Sequence, residues 1–411
     1  MVVDVDICGL KVGDEHPVRL MGVINLSRES FYKGSVVSTD SLLDVAQRMV
    51  DDGASILDIG ARSTWPLASP VIREDEELQR LIPALDILKD NVDALISVDT
   101  VYSNIADEGL KHGADIINDV SGFTTDERMF DVMKEHDCPA VVMASEKIPG
   151  DPIGMDAIMG SLARIIAKAE ARDIDTNKLI LDPAIGKWIA EKDPIYDFET
   201  IEQFESFKVF EKPILAAVSR KSCIDAVLHK PADERLYGSL AATAIVVQKG
   251  AHIIRTHDIP ETRDVVEVAR AMRKRQPFTR SGDFEVSMID IIHPDDAEYF
   301  MKSIGVTGTG AKVMKKKTVS KVIRISNITT TEALIIKQEI LARGGDAALE
   351  RDAVSHETEK TDVIVFGTLL QLERLAKKLV CQARNLPHIA EMIAEVLQQE
   401  MDVEYRYKRE L

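Results

Sequence analysis

Short apolar runs alternate with longer amphipathic stretches along residues 17 to 276. The runs are rich in Val, Ile and Leu over nearly their whole length, which is typical of strands buried on both faces of a parallel sheet. Eight such runs occur, at residues 18–25, 55–60, 95–100, 115–120, 140–144, 179–185, 214–219 and 252–257. Eight strand and helix units in about 260 residues predict an α/β fold of the (β/α)8 TIM-barrel type. A doubly wound open sheet is the alternative, but no GxGxxG turn follows the first run.

The pattern changes after residue 276, which indicates a second domain. Residues 273–283 combine Pro, Gly and several charges, as linkers do. A strand at 319–326, a helix at 329–342, strands near 347–354 and 362–367, and further helices predict a smaller α/β domain. We therefore divide the chain into a barrel domain at residues 1–276, a linker at 277–288 and an accessory domain at 289–411.

Composition narrows the class of protein. The chain has 411 residues, of which 45% are hydrophobic, and its formal charge is -18. The apolar content excludes a disordered protein, and the acidity argues against nucleic-acid partners and polybasic membrane binding, so an anionic substrate must be captured locally. No apolar run approaches the roughly 20 residues of a membrane helix, and the acidic N-terminus lacks the features of a signal peptide. We expect a soluble, cytoplasmic protein.

Polar side chains stand where seven of the eight predicted strands end. They are Asn25, Asp58, Asp99, Asn118, Asp182, Ser219, Lys221, Arg255 and His257. A single Asp after a strand commonly caps the next helix, but capping does not account for polar ends on seven strands. Because active sites of TIM barrels lie at the C-terminal ends of the strands, these side chains are expected to share one pocket.

The residue types in this pocket suggest a two-part ligand. Asp99, Asn118 and Asp182 offer acceptors and an amide to a flat heterocycle that bears amino and ring N–H groups, and Lys221 adds a donor. Arg255 and His257 offer cationic or hydrogen-bonding contacts to phosphate, although a single His is often only a core or capping residue. Asn25 offers an oxygen ligand to a hydrated Mg²⁺ that the phosphate mainly holds.

Seven short strings follow one another in the order found in dihydropteroate synthases. They are MGVIN (21–25), DIG (58–60), SVDT (97–100), IND (117–119), DP (182–183), SRKS (219–222) and RTHD (255–258). Each string is weak alone, but together they make residues 17 to 276 resemble that family. The resemblance implies a TIM barrel that joins the methylene carbon of a 6-hydroxymethyl-7,8-dihydropterin diphosphate to the amine of p-aminobenzoate and releases diphosphate.

The resemblance also implies roles for individual residues. The pterin ring would be held by Asp99, Asn118, Asp182 and Lys221. The diphosphate and its Mg²⁺ would be held by Asn25, Thr64, Arg255 and His257. Asp58 and Ser219 would support the loops and the amine substrate. The expected catalytic residues are Lys221, Arg255, His257 and Asp99, acting mainly through electrostatic stabilisation of the leaving group.

Three loops depart from the family pattern. Residues 27–31 read SRESF where the family usually has TPDSF. Trp65 stands where the family places an arginine, and the segment after Asp182 reads PAIGKW instead of a Gly- and Phe-rich stretch. Trp65 and Trp188 serve either as a stacking platform for an arylamine or as ordinary loop anchors. With the additional loop cations Arg28, Arg62 and Lys187, these departures favour a larger arylamine, such as the ribofuranosyl-aminobenzene phosphate of tetrahydromethanopterin biosynthesis in archaea.

Two other functions and one accessory role stay open. A pterin-dependent methyltransferase uses a similar barrel, but that class lacks the SRKS and RTHD strings. A non-catalytic pterin-binding protein is the second alternative, although simple pterin binding would not require Asn25, Arg255 and His257. Residues 289 to about 400 resemble an accessory domain that some bacterial synthases carry before the barrel. We expect it to serve dimer contact or loop support, and we expect a homodimer.

Overall fold

The computed structural model describes residues 3–26, 41–62, 72–274, 277–282, 284–354, 357–402 and 406–407. The chain divides into two compact units, Met1–Ser287 and Met288–Glu410. The described strands of the first unit are β1 (Asp4–Ile7), β2 (Leu10–Gly13), β3 (Arg19–Asn25), β4 (Ala54–Gly60), β5 (Leu95–Asp99), β6 (Ile116–Asp119), β7 (Ala140–Met143), β8 (Leu179–Asp182), β9 (Leu215–Ala216), β10 (Ile253–Thr256), β11 (Phe278–Ser281) and β12 (Phe284–Ser287).

Helices follow the barrel strands. The described ones are α1 (Leu42–Asp51), α2 (Glu74–Leu88), α3 (Ser103–Lys111), α4 (Met129–His136), α5 (Met155–Glu170), α6 (Pro194–Glu202), α7 (Ser222–Leu228), α8 (Leu236–Gln248) and α9 (Ile259–Met272). Among the described helices, none combines the length and the hydropathy that crossing a membrane requires.

The eight strands β3 to β10 form one parallel sheet in the order β8-β7-β6-β5-β4-β3-β10-β9. The two ends of the sheet meet, because Leu181 of β8 forms a parallel bridge with Ile214 and its N–H donates to the carbonyl of Pro213 at 2.9 Å. The sheet is therefore a closed (β/α)8 barrel, and the predicted fold is confirmed. All eight predicted strands are present, although β9 is only two residues long.

An antiparallel hairpin, β1–β2, precedes the barrel and was not predicted. Its turn has positive φ at both central residues, 50° at Cys8 and 89° at Gly9, as a type I′ hairpin requires. Ile7 and Val12 from the hairpin are buried in one cluster with interior barrel residues such as Met21. The hairpin thus supplies apolar side chains to the barrel core, and the alternation of Asp and aliphatic residues at 3–7 was its signal in the sequence.

A partly buried polar contact ties this hairpin to the barrel. Asp14 accepts the N–H of Val3 at 2.9 Å and pairs with Arg273 at 2.5 Å, and its Oδ1 lies 3.4 Å from Nε2 of His252. Burial opposes ionisation of Asp14, but His252, the Val3 N–H and Arg273 outweigh it and hold the pKa of this carboxyl well below its usual range. Asp14 therefore connects the chain start, the beginning of β10 and the end of α9.

The second unit is a small α/β unit with one antiparallel sheet. Its described strands are β13 (Ser320–Thr329), β14 (Asp346–Leu349) and β15 (Lys360–Thr368), in the order β13-β15-β14. Its described helices are α10 (Pro294–Ser303), α11 (Gly308–Met314), α12 (Thr330–Leu341), α13 (Arg351–Val354), α14 (Leu369–Leu379) and α15 (Leu386–Met401). Its core includes residues of α12, α14 and α15 packed with residues of β15.

Two predictions for this region need correction. Residues 347–354 are not one strand, because β14 ends at Leu349 and Arg351–Val354 form helix α13. The charged residues Glu350, Arg351 and Asp352 end the apolar alternation there. The segment assigned to a linker at 277–288 contains the hairpin β11–β12, in which Phe278 pairs with Ser287. Apolar and polar residues alternate in short runs on both sides of Gly282, and this pattern is typical of a hairpin.

Replacing Asp14 with Asn should lower the free energy of unfolding by about 2 kcal/mol, because Arg273 loses a charge-assisted partner. Chemical denaturation at pH 7 measures this effect. The matched control is Asp264→Asn, since the Asp264 side chain is 81% exposed and lies 3.7 Å from Arg263. The control should stay within about 0.5 kcal/mol of the native protein.

The effect of Asp14→Asn should shrink below about pH 4. The pKa of Asp14 is depressed in the folded protein, so its contribution is present at neutral pH and is lost as the carboxylate takes up a proton. Equal stability of Asp14→Asn and the native protein at pH 7 would contradict the assigned role.

Candidate active site

Four of the predicted site residues meet at the C-terminal end of the barrel. Arg255 donates from Nε to Oδ2 of Asp58 at 2.7 Å and from an Nη atom to Oδ2 of Asp99 at 3.1 Å. Asn118 donates from Nδ2 to the same Asp58 oxygen at 3.0 Å. The parallel register explains the convergence, because Asp99 pairs with Asn118 on one side and with Gly60 on the other.

The Arg255 guanidinium and the two carboxylates control each other's charge. Burial disfavours the charge on Arg255, but Asp58 and Asp99 outweigh burial and raise the pKa of Arg255. Burial, and then the charge of Asp58, raise the pKa of Asp99 to about 7 despite the opposing effect of Arg255. Asp99 thus exchanges a proton close to neutral pH, whereas Arg255 stays charged.

Two carboxylate oxygens in this cluster lack a partner among the described residues. Oδ1 of Asp58 and Oδ1 of Asp99 are both buried and accept no hydrogen bond from that part of the chain. A buried acceptor without a donor costs about 1–3 kcal/mol. The cluster is therefore suited to a ligand that brings N–H groups.

Asp182 and Lys221 lie at a second part of the same strand-end region. Asp182 accepts the N–H of Ala184 at 2.8 Å. Burial raises the pKa of Asp182 against the effect of Lys221, and burial lowers the pKa of Lys221 against the effect of Asp182. Lys221 Nζ lies 5.1 Å from the ring centroid of Trp188, which is within the range of a cation–π contact.

Ser219 and His257 are joined through the backbone, since the Ser219 hydroxyl oxygen accepts the N–H of His257 at 3.4 Å. Burial, followed by the charges of Arg255, Arg220 and Lys221, lowers the pKa of His257 to about 3. His257 is therefore neutral at physiological pH in the ligand-free site. Both a cationic and a hydrogen-bonding role were expected from the sequence, and a neutral imidazole is able to take the hydrogen-bonding one.

Arg220 was missed as a functional residue in the sequence analysis. Its φ is 58°, and its Nε and Nη2 atoms pair with both oxygens of Asp258 at 3.0 and 2.5 Å. Its Nη1 donates to the carbonyls of Ala232 and Asp233, both at 2.9 Å. Arg220 thereby fastens the loop that carries Lys221 to the one that carries His257. Its position within SRKS was the only signal, and the contact with Asp258 spans 38 residues.

Asn25 and Asp99 border Gly60 from neighbouring strands. A Cβ at Gly60 would lie 3.5 Å from Oδ1 of Asn25 and 3.7 Å from Oδ2 of Asp99. No group of three His, Cys, Asp or Glu side chains suited to a metal ion occurs among the described residues. This arrangement fits Mg²⁺ only as an ion that takes most of its ligands from phosphate and water, which is the form predicted from the sequence.

Of the loop residues singled out from the sequence, some are described by the structure and others are not. Thr64, Trp65 and Arg28 lie outside the described residues. Arg62 is described, and it donates to the Tyr102 hydroxyl at 2.8 Å with its guanidinium 5.3 Å from the ring centroid. The Lys187 side chain is exposed.

Comparison with family models matches residues 21–257 to the family described as pterin binding enzyme. The match covers more than half of the chain and includes every strand end described above. The chain belongs to this family. The family model ends within the RTHD string, so it does not extend into the second unit.

Within this family the chain is similar to dihydropteroate synthases. It is 35% identical over 254 residues to the dihydropteroate synthase of Bacillus subtilis, a match that covers 62% of this chain and 88% of that protein. A Yersinia pestis dihydropteroate synthase in a sulfonamide drug complex has a TM-score of 0.61 and 30% identity, covering 66% of this chain and 98% of that one. A Coxiella burnetii dihydropteroate synthase in complex with pteroic acid has a TM-score of 0.58 and 31% identity, covering 64% and 96%.

Replacing Arg255 with Met should destabilise the protein by about 3 kcal/mol at pH 8, because two buried carboxylates lose their cation. The loss should be smaller at pH 6. The pKa of Asp99 is raised in the folded protein, so ionisation of Asp99 destabilises the fold as the pH rises. At pH 6 more of Asp99 is protonated, and its repulsion with Asp58 is weaker. Denaturant unfolding at both pH values measures the difference.

Arg255→Met combined with Asp99→Asn serves as the control for this effect. The double variant removes one of the two repelling charges and should recover most of the stability at pH 8. A loss of stability in Arg255→Met that is equal at pH 6 and pH 8 would contradict the electrostatic assignment.

Proposed function

We propose that this chain is a dihydropteroate synthase-type transferase. It condenses a 6-hydroxymethyl-7,8-dihydropterin diphosphate with a p-aminobenzoate-type arylamine in folate or tetrahydromethanopterin biosynthesis. The observation that carries the proposal is the buried cluster of Asp58, Asp99, Asn118 and Arg255 at the strand ends of a barrel 35% identical to a named synthase. The Coxiella burnetii neighbour in complex with pteroic acid supports pterin as the ligand class.

The described residues match the hydrogen-bonding needs of a pterin ring. A pterin presents an amino group and ring N–H groups as donors, and a carbonyl and ring nitrogens as acceptors. The Oδ1 atoms of Asp58 and Asp99, which accept no hydrogen bond from the described residues, can receive such donors, and Asp182 contributes a further carboxylate. The Lys221 amine can donate to the carbonyl or a ring nitrogen.

The reaction depends more on electrostatic stabilisation of the leaving group than on a strong general base. The bond between the methylene carbon and the diphosphate oxygen breaks, and its electron pair leaves with diphosphate. The arylamine nitrogen then forms the new carbon–nitrogen bond and releases a proton. Arg255 offers its charge to the leaving oxygens, neutral His257 offers an N–H, and the Asp58 and Asp99 carboxylates stabilise positive charge on the pterin methylene.

We further propose Mg²⁺ as the metal and Asn25 as its ligand from the protein. Bound Mg²⁺ would neutralise charge on the leaving diphosphate. Asn25 offers the ion a single amide oxygen beside Gly60, which agrees with a Mg²⁺ that enters the site bound to the substrate. The homodimeric state is also a proposal, and sedimentation of the full chain tests it.

The arylamine is proposed to be larger than p-aminobenzoate and to carry a phosphate. The support is the set of loop departures, Trp65 in place of an arginine and additional cations that include Lys187. The exposed side chain of Lys187 can reach a group that extends out of the pocket, whereas Arg62 is held against Tyr102.

The proposed function is tested by incubating the full chain with the pterin diphosphate, Mg²⁺ and an arylamine. We expect release of diphosphate and one condensed product, both lost after chelation of Mg²⁺. Lys221→Ala and Asp182→Ala should raise the KM for the pterin substrate, whereas Arg255→Ala should mainly lower kcat, by about 100-fold. Pterin binding without turnover would indicate a non-catalytic binding protein, and kinetic constants equal to those of the native chain in all three variants would refute the site.

The arylamine proposal is tested by comparing kcat/KM for p-aminobenzoate and for ribofuranosyl-aminobenzene phosphate. We expect at least about 10-fold preference for the phosphorylated arylamine, equivalent to about 1.4 kcal/mol. Lys187→Ala should reduce turnover of that substrate alone, and Lys111→Ala, on the outer helix α3, should change neither. Equal or better turnover of p-aminobenzoate would overturn the proposal.

A further inference from the structure

The loop that follows β8 has an unusual backbone. Ala184 has a φ of 60° and Gly186 has a φ of 122°, so two residues of a three-residue stretch lie at positive φ. Positive φ is disfavoured for a residue with a side chain such as Ala. Contacts from elsewhere must therefore hold this stretch in place.

A buried ion pair supplies those contacts. Lys192 Nζ lies 2.9 Å from Oδ1 of Asp197, and the two side chains are only 1% and 2% exposed. Lys192 Nζ also donates to the carbonyl of Ala184 at 2.8 Å. Oδ1 of Asp197 also accepts the N–H of Gly186 at 2.9 Å. Each member of the pair thus holds one of the two residues that have positive φ.

The same loop forms one side of the candidate site. The N–H of Ala184 donates to Asp182 at 2.8 Å. The Lys221 side chain passes so close to Gly186 that a Cβ there would lie 3.0 Å from Lys221 Cδ and 3.2 Å from Nζ. Beyond Gly186, the Trp188 ring centroid lies 5.1 Å from the same Nζ. A shift of the loop would therefore move Asp182, Lys221 and Trp188 relative to one another.

Stability alone does not explain the ion pair. Removing two charges from water costs several kcal/mol for each ion, and apolar pairs of similar volume often stabilise a protein equally well. An apolar pair cannot bind the carbonyl of Ala184 or the N–H of Gly186. What Lys192 and Asp197 specifically provide is the position of this backbone segment.

We propose that Lys192 and Asp197 are positioning residues for the pterin site. They act through the Ala184 and Gly186 backbone to set Lys221 against Asp182. The pair itself needs no contact with substrate. This inference rests on the proposed function, since it assigns Lys221 and Asp182 to the pterin.

The test compares Lys192→Met/Asp197→Leu, which removes both charges and both loop contacts, with Lys192→Met/Asp197→Asn, which keeps an acceptor for Gly186. Binding of 6-hydroxymethylpterin is measured by calorimetry, and KM and kcat are measured with the diphosphate substrate. We expect the Leu variant to bind pterin about 10- to 100-fold more weakly and to raise KM more than it lowers kcat. The Asn variant should show a smaller loss of affinity.

Trp188 gives a readout that is independent of activity. The chain has two tryptophans, so Trp65→Phe leaves Trp188 as the only one, and excitation at the long-wavelength edge of the indole band selects it over the tyrosines. Displacement of the loop should shift the emission of Trp188 and change its quenching by Lys221 in the Leu variant. Asp14→Asn, which breaks a partly buried ion pair at the hairpin, is the control and should leave both emission and pterin affinity unchanged.

The outcomes separate the two proposals. If the native chain does not bind the pterin, the proposed function fails whatever the variants do. If the native chain binds pterin and the folded Leu variant keeps both the native affinity and the native Trp188 emission, the positioning role is overturned. If the Leu variant does not fold, the same comparison is made with the Asn variant, for which native affinity and emission would again overturn the role.

Discussion

The Arg255 guanidinium between Asp58 and Asp99 is the interaction on which the site depends. A parallel barrel brings the ends of all its strands to one small opening, so carboxylates placed at those ends repel one another in a medium of low polarity. Asp58 is fully buried and Asp99 is 5% exposed, and therefore neither charge is well screened by water. Arg255, 197 residues away from Asp58 in sequence, makes the two carboxylates compatible with a folded barrel.

Ion pairs around this centre hold loops of the site by contacts with the backbone. Arg220 pairs with Asp258 and binds two carbonyls, so the segments after β9 and β10 cannot move independently. Lys192 and Asp197 bind the segment after β8 in the same manner. In both pairs, charged side chains fix main-chain groups of the loops that carry the candidate ligand-facing residues.

The eight strands and most of the polar strand ends were predictable, because burial on both faces leaves continuous apolar runs and the strand ends follow directly from them. Residues such as Arg220 and Lys192 were not predictable as loop supports, since their partners are defined only by the folded loops. The β1–β2 hairpin was missed although its alternation was visible. A single hairpin is marginal by itself, and only the contact of Ile7 and Val12 with the barrel core gives it stability.

The charge of the site constrains how an anionic substrate can bind. Three carboxylates, Asp58, Asp99 and Asp182, accompany two cations, Arg255 and Lys221, while His257 is neutral. The formal charge of this set is therefore -1, or zero when Asp99 holds a proton, and it does not attract a diphosphate by itself.

In the proposed function, attraction arises instead from the groups that the ring brings. The N–H groups of the pterin bind the Oδ1 atoms of Asp58 and Asp99, while Arg255 keeps its contacts with the two Oδ2 atoms. Because donors on Oδ1 draw negative charge away from Oδ2, the guanidinium has more of its positive charge left for the phosphate oxygens. Binding of the ring and binding of the diphosphate are thereby coupled through one side chain, within a protein whose overall charge is -18.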